Sequence, residues 1–389
     1  MTLRRIPSLL CALLLAASAS TLQAQTCPAP DESLSPEVRE ERRKRDAEEI
    51  SRLSEEIGKR VASSMRQTNQ LGDKLINGST PMEWVLGANQ IANRSMIELA
   101  TRKFTNQEDA TKAFQEAIDK QNRNGQLTES DLILERAYLA GKRDPAILFT
   151  LTSHCMTQRS GFCNAHPTFA DELVALDPDN AWTWLMKAYG QQKDAAQESL
   201  RKALATPRFN SYLQPQFVVL RELAKDVPVD TEASIIGPLQ QLTNMIPIRP
   251  TSALMKSCSE VMAGGLGSGA TEPPKPLTPA GETCVALLRH AALNADDEMT
   301  AQMSAFMLKM ISKDPADQAP AQEIEQRMTA MMAGLSSMAG RKERAADVDR
   351  VLRQGIDWTA QYGDKEAGRR MAEAFKTLAE EGTKPAMAQ

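Results

Sequence analysis

Apolar residues recur every three or four positions over most of this chain, with polar residues between them. That is the period of a helix with one buried face. Cys284, Leu287, Leu288 and Ala291 form one such stripe. Ala345, Val348, Leu352 and Ile356 form another, and Met371, Phe375 and Leu378 a third. Phe217-Val218-Val219 is the best strand candidate and is too short to change the class. The pattern predicts an all-α protein of short helical hairpins with short loops, packed as a solenoid or bundle.

Punctuation sharpens this reading. Thr80-Pro81-Met82-Glu83 is a capping box with proline at the first helical position, and it opens a helix carrying Trp84 and Ile91. Thr105 to Glu108 forms a second box. Thr128 caps a third helix, closed at Gly141, and Asp144-Pro145 starts a fourth that runs into Cys155. A helix starting near Pro167 ends at Leu176, before Asp177-Pro178-Asp179-Asn180. Asn180 is placed to cap Ala181–Tyr189, with Gly190 supplying a left-handed C-cap. Asp194 opens a further helix that buries Leu200, Ala203 and Leu204 and stops at Pro207. Gln216–Ala224 and Glu232–Met245 also read as helical.

These signals divide the chain into five parts: residues 1–24, a charged helix within 25–78, helical hairpins over 79–263, a Gly/Pro-rich loop over 264–281, and a helical region over 282–389. In the second part Ile50, Leu53, Ile57 and Val61 make one apolar stripe. The heptad register fails at Arg43 and Ser64, so a long coiled coil is not expected. The glycines of the loop follow a helix and precede prolines, whereas a phosphate cradle needs a strand before it and a helix after it.

The first 24 residues read as a secretory signal peptide. Arg4 and Arg5 precede an apolar core from Ile6 to about Ala17, too short to span a bilayer, and cleavage is expected after Ala24. No later stretch could cross a membrane. Export makes the cysteines matter. Cys11 leaves with the signal, and five remain. The closest pairs in sequence, Cys155–Cys163 and Cys258–Cys284, are expected to be disulfides, with Cys27 left over. Loss of Arg4 and Arg5 leaves 44 basic against 50 acidic residues, a net charge of −6. A mildly acidic chain with 4% aromatics lacks the footprint of a nucleic-acid binder.

The stretch LDPDNAWTWLMKAYG, followed by Ala203, Leu204 and Pro207, resembles one tetratricopeptide-type repeat. Pro178, Trp184, Ala188, Ala203 and Pro207 fall near the family's positions, with Ala188 standing where the family has glycine. The cysteine pair just upstream of LDPDNA is also similar to a pattern in uncharacterised secreted proteins of Gram-negative bacteria. These resemblances imply a helical fold and a periplasmic or secreted setting, and no activity.

Candidate chemistry is sparse. His154, Cys155, Cys163 and His166 are the residue types of a zinc site, but in an oxidising compartment the thiols are expected to pair. Met299, Met303, Met307 and Met310 recur at helical spacing. They fit a hydrophobic partner groove, a core stripe or a Cu(I) site, and Phe306 and Leu308 argue for core. No serine sits in a nucleophile-elbow context, and His290 lies in an apolar helix. The expected function is therefore binding of a protein or peptide partner in a helical groove, without cofactor or metal. Trp182 and Trp184 are the first candidate contacts, with Trp182 presented and Trp184 packed. A periplasmic hydrolase or metal-dependent enzyme is the alternative.

Overall fold

A computed structural model describes residues 68–101, 127–157, 160–229, 238–243, 245–246, 251–258, 278–312, 314–338 and 344–383, with isolated positions within 40–52 and 109–116. The signal-like stretch, Cys27, the Ile50–Val61 stripe, the Thr105 box and residues 264–277 lie outside them.

Helices begin where capping chemistry puts them. Helix α1 (Pro81–Thr101) follows Thr80, whose Oγ1 accepts from Glu83 N–H at 3.3 Å while Glu83 accepts from Thr80 N–H at 2.7 Å. Helix α2 (Glu129–Gly141) carries the reciprocal box of Thr128 and Asp131. Next come α3 (Pro145–Thr157), α4 (Gly161–Ala165) and α5 (Phe169–Leu176). Helix α6 (Ala181–Gly190) is capped by Asn180, and α7 (Lys193–Ala205) completes its hairpin. Helices α8 (Leu213–Ala224), α9 (Pro238–Thr243) and α10 (Thr251–Ser257) lead to α11 (Pro279–Asn294). Then follow α12 (Glu298–Ile311), α13 (Pro315–Met338), α14 (Ala345–Tyr362) and α15 (Asp364–Thr383).

The helix expected over Gln216–Ala224 is present within α8, so the strand candidate Phe217-Val218-Val219 is helical, and Leu213, Gln216, Phe217, Leu220, Leu223 and Ala224 all bury on one side of it. Two local expectations are corrected. Gly190 is not a left-handed cap: it ends α6 in helical geometry, and extended Gln191 follows it. The glycine at positive φ among the described residues is Gly363, in the turn between α14 and α15. Finally, α11 starts at Pro279 under a Thr278 cap, inside the stretch read as loop.

Among the described residues there are no β-strands, and neighbouring helices pack as hairpins. Helix α1 packs on α2, α6 on α7, α11 on α12, and α14 on α15. One core runs through both halves, from Leu71 through Trp182 and Cys284 to Ala360. Val351, Phe375 and Leu378 belong to a smaller cluster between α14 and α15. Two disulfides staple the helices. Cys155–Cys163 ties the end of α3 to α4 (Cα–Cα 5.2 Å), and the fully buried Cys258–Cys284 ties the end of α10 to α11 (Cα–Cα 5.1 Å). The first closes a short loop and is worth on the order of 2–3 kcal/mol.

An extended strap, residues 206–212, joins the halves. Ala181 N–H donates to Arg208 O at 2.8 Å, and Asp296 N–H donates to Phe209 O at 3.0 Å. Asn180 bonds both ways with Asn210, donating to its carbonyl at 2.9 Å and accepting from its N–H at 3.0 Å. Tyr212 ends the strap at φ 51°, a left-handed conformation costing roughly 1–2 kcal/mol for a residue with a Cβ. Its N–H donates to Asn210 Oδ1 and its hydroxyl to Asp177, which Arg208 also engages.

Candidate partner-binding face

Of the two candidate tryptophans, the structure reverses the expected roles. Trp182 is fully buried, its ring edge-on to Phe209 at 5.1 Å and to Phe149 at 6.5 Å. The expectation that it is presented to a partner is overturned, because α3, α5, α7 and α10 all pack around α6 and close over it. Trp184 is the partly exposed one. Its Nε1–H donates to Pro178 O at 2.7 Å, and Lys202 lies over its ring at 4.7 Å. Two of its sides are therefore already engaged.

The methionine stripe is corrected in phase. Met299 (55% exposed), Phe306 (56%) and Met310 (41%) stand out from α12, with Met303 partly covered between them. At 100° per residue these four lie within about 60° of arc, spaced four, three and four apart over roughly 16 Å. Met307 falls outside that arc, is 2% exposed and belongs to the core, as Ala301, Ala305 and Leu308 do. Phe306, read from the sequence as support for the core, belongs to the exposed stripe. Counting angle at 100° per residue would have found it, because Phe306 falls about 20° from Met299 on the helical wheel.

The elements around α12 hold this face in place. Asp297 caps the helix by accepting from Thr300 N–H at 2.8 Å, and Asp364 accepts from Glu298 N–H at 2.8 Å. Ion pairs to α13 bracket the stripe. Glu298 meets Arg327 at 2.6 Å near one end, and Lys309 meets both oxygens of Glu325 at 2.6 and 2.8 Å near the other. Glu325 also lines a shallow depression on α13, with Gln322, Gln326, Thr329 and Ala333. Helix α12 packs on α11 and α13 and touches α15; Met299, Phe306 and Met310 are left exposed, and Met303 packs at the edge of the core.

The other candidate residues serve the scaffold. Cys155 and Cys163 are bonded to each other, which removes their sulfurs as metal ligands. His154 is 1% exposed, and burial drives its pKa down to about 4. His166 bonds Glu135 at 2.7 Å through Nε2 and stacks on Phe169 at 4.9 Å. No group of three or more His, Cys, Asp or Glu among the described residues is placed to hold a metal ion. Burial also lowers the pKa of His290, whose Nδ1 meets the Asn294 amide at 2.9 Å.

One acid stands out. Asp296 is pushed up to about 6, chiefly by burial, with the charges of Asp297 and Asp364 acting in the same direction. A raised carboxylate is a recurrent mark of catalytic sites. Here its Oδ1 accepts from Ser211 N–H at 2.8 Å, which is a strap contact. Neither a family model, nor a curated protein, nor a solved structure matches the chain.

Proposed function

We propose that this protein is an exported, disulfide-stapled helical scaffold, tetratricopeptide-like in its α6–α7 hairpin, that docks an amphipathic helix of a protein partner on α12. The observation that carries the reading is the heptad-spaced stripe of Met299, Met303, Phe306 and Met310, exposed on a helix fixed by ion pairs at both ends. Spacing of four, three and four is the spacing at which one helix meshes with another. Methionine adapts its shape to unlike partners, which suits a docking face more than a unique core. Three half-exposed side chains and a partly covered fourth amount to roughly a few hundred Å², well below the ~800 Å² per partner of a standard complex. That area fits one short helix and a weak, reversible encounter.

The signal-like N-terminal stretch and the two disulfides support an oxidising setting outside the cytoplasm. No helix among the described residues is long and apolar enough to cross a membrane. The test uses a fluorescein-labelled synthetic helix of leucine and lysine in heptad order, titrated against the oxidised full chain. Phe306→Glu and Met303→Glu should each weaken binding about tenfold or more, because charge placed on an apolar anchor leaves it desolvated and unpaired. Trp184→Ala should leave it unchanged. Equal affinity across the three variants sinks the reading.

A further inference from the structure

The described methionines are unevenly sheltered. Met82, Met186, Met245 and Met307 are at most 7% exposed, and Met156, Met255, Met303 and Met371 are partly covered. Among the methionines whose side chains are described, Met299 and Met310 stand exposed, and both lie on the α12 stripe with Met303 between them. In a disulfide-bonded protein that meets oxidants, exposed thioethers are the first side chains outside free thiols to react.

We propose that Met299, Met303 and Met310 form a sulfoxidation site that switches the docking face off under peroxide while leaving the fold intact. In the reaction a sulfur lone pair attacks one peroxide oxygen, the O–O bond breaks, and the sulfur–oxygen bond forms as water leaves. Each sulfur loses two electrons and hydrogen peroxide is reduced to water. The sulfoxide is polar and accepts hydrogen bonds, so an apolar seam acquires groups that a partner helix would have to desolvate. The fold feels little of the change, because Met299 and Met310 stand exposed and Met307 holds the core side of the same helix, while Met303, which packs against the core, is the slowest of the three to react. Phe306 keeps its own exposed ring at the centre of the stripe but cannot by itself supply the full seam.

This inference rests on the docking reading, and the experiment separates the two. The oxidised full chain is treated with graded hydrogen peroxide, digested, and each methionine peptide weighed. The same samples are titrated with the labelled leucine–lysine helix and melted by circular dichroism. Met299 and Met310 should convert about tenfold or more faster than Met186 and Met245, with the melting midpoint moved by less than about 2 °C. Peptide affinity should fall about tenfold, and methionine sulfoxide reductase should restore it. The triple variant Met299→Leu, Met303→Leu, Met310→Leu should bind the peptide before and after peroxide alike. Conversion of Met186 and Met245 at the same rate as Met299 overturns the proposal. So does full conversion at Met299 and Met310 with unchanged affinity. An untreated chain that fails to hold the peptide overturns the docking reading and this switch together.

Discussion

Helices α6 and α12 are built alike and end differently. Each is short, each starts under a side-chain cap (Asn180 or Asp297), and each carries large apolar residues around much of its circumference. In α6 those residues vanish from solvent: Trp182 and Leu185 are fully buried and Met186 is 2% exposed. In α12 half of them do not. The difference lies in the neighbours. Among the described residues four helices pack against α6, whereas three pack against α12. An apolar helix face therefore states a need for cover, and the number of neighbours decides whether the fold itself supplies it.

The largest effect should come from opening α6. Trp182→Ala removes a fully enclosed ring from between Phe149 and Phe209 and should cost about 3–5 kcal/mol in urea unfolding. Next comes the foot of α12, where the sign reverses. Asp296 holds a proton more tightly folded (pKa about 6) than as an ordinary carboxyl near 3.8. The stability this contributes is fully present below about pH 3.8 and is lost as pH rises through about 6. Asp296→Asn, which keeps the acceptor for Ser211 N–H, should therefore be more stable than the parent by ~2–3 kcal/mol at pH 7.5. The gap should shrink steadily toward pH 4.5 in parallel urea titrations.

Smaller effects follow. Trp184→Ala loses partly exposed packing and one bond to Pro178 O, and should cost about 1–2 kcal/mol with no change in peptide binding. Phe306→Ala should alter stability by no more than about 0.5 kcal/mol, because its ring is already wet. A loss of several kcal/mol there would mean that the α12 stripe is covered like α6, and the contrast between the two helices would collapse.

Local chemistry was the legible part of this sequence. Thr80, Thr128 and Asn180 cap the helices they announce, because a cap acts within three residues of itself. The two disulfides followed from cysteine proximity in sequence. What escaped was set by distant residues. Trp182 and Trp184 sit two positions apart on one helix, and only the arrangement of α3, α5, α7 and α10 decides which is enclosed. Met307 and Phe306 exchanged roles because periodicity locates stripes but does not say which one the neighbours will cover. Asp296 gave no signal at all, since its bond to Ser211 comes from a strap 85 residues earlier and one of the charges acting on it, Asp364, from further on.

The strap sets an order of events for a chain that emerges from its N-terminus. Its contacts with Asn180 and Ala181 span about 30 residues and can close once Asn210 is out. Its contacts with Ala295 and Asp296 must wait for some 85 residues more. During that interval Phe209 has Trp182 on one side and nothing yet from His290 on the other. The half-emerged chain therefore shows a hydrophobic edge that the finished protein hides, and a holding chaperone would find it there.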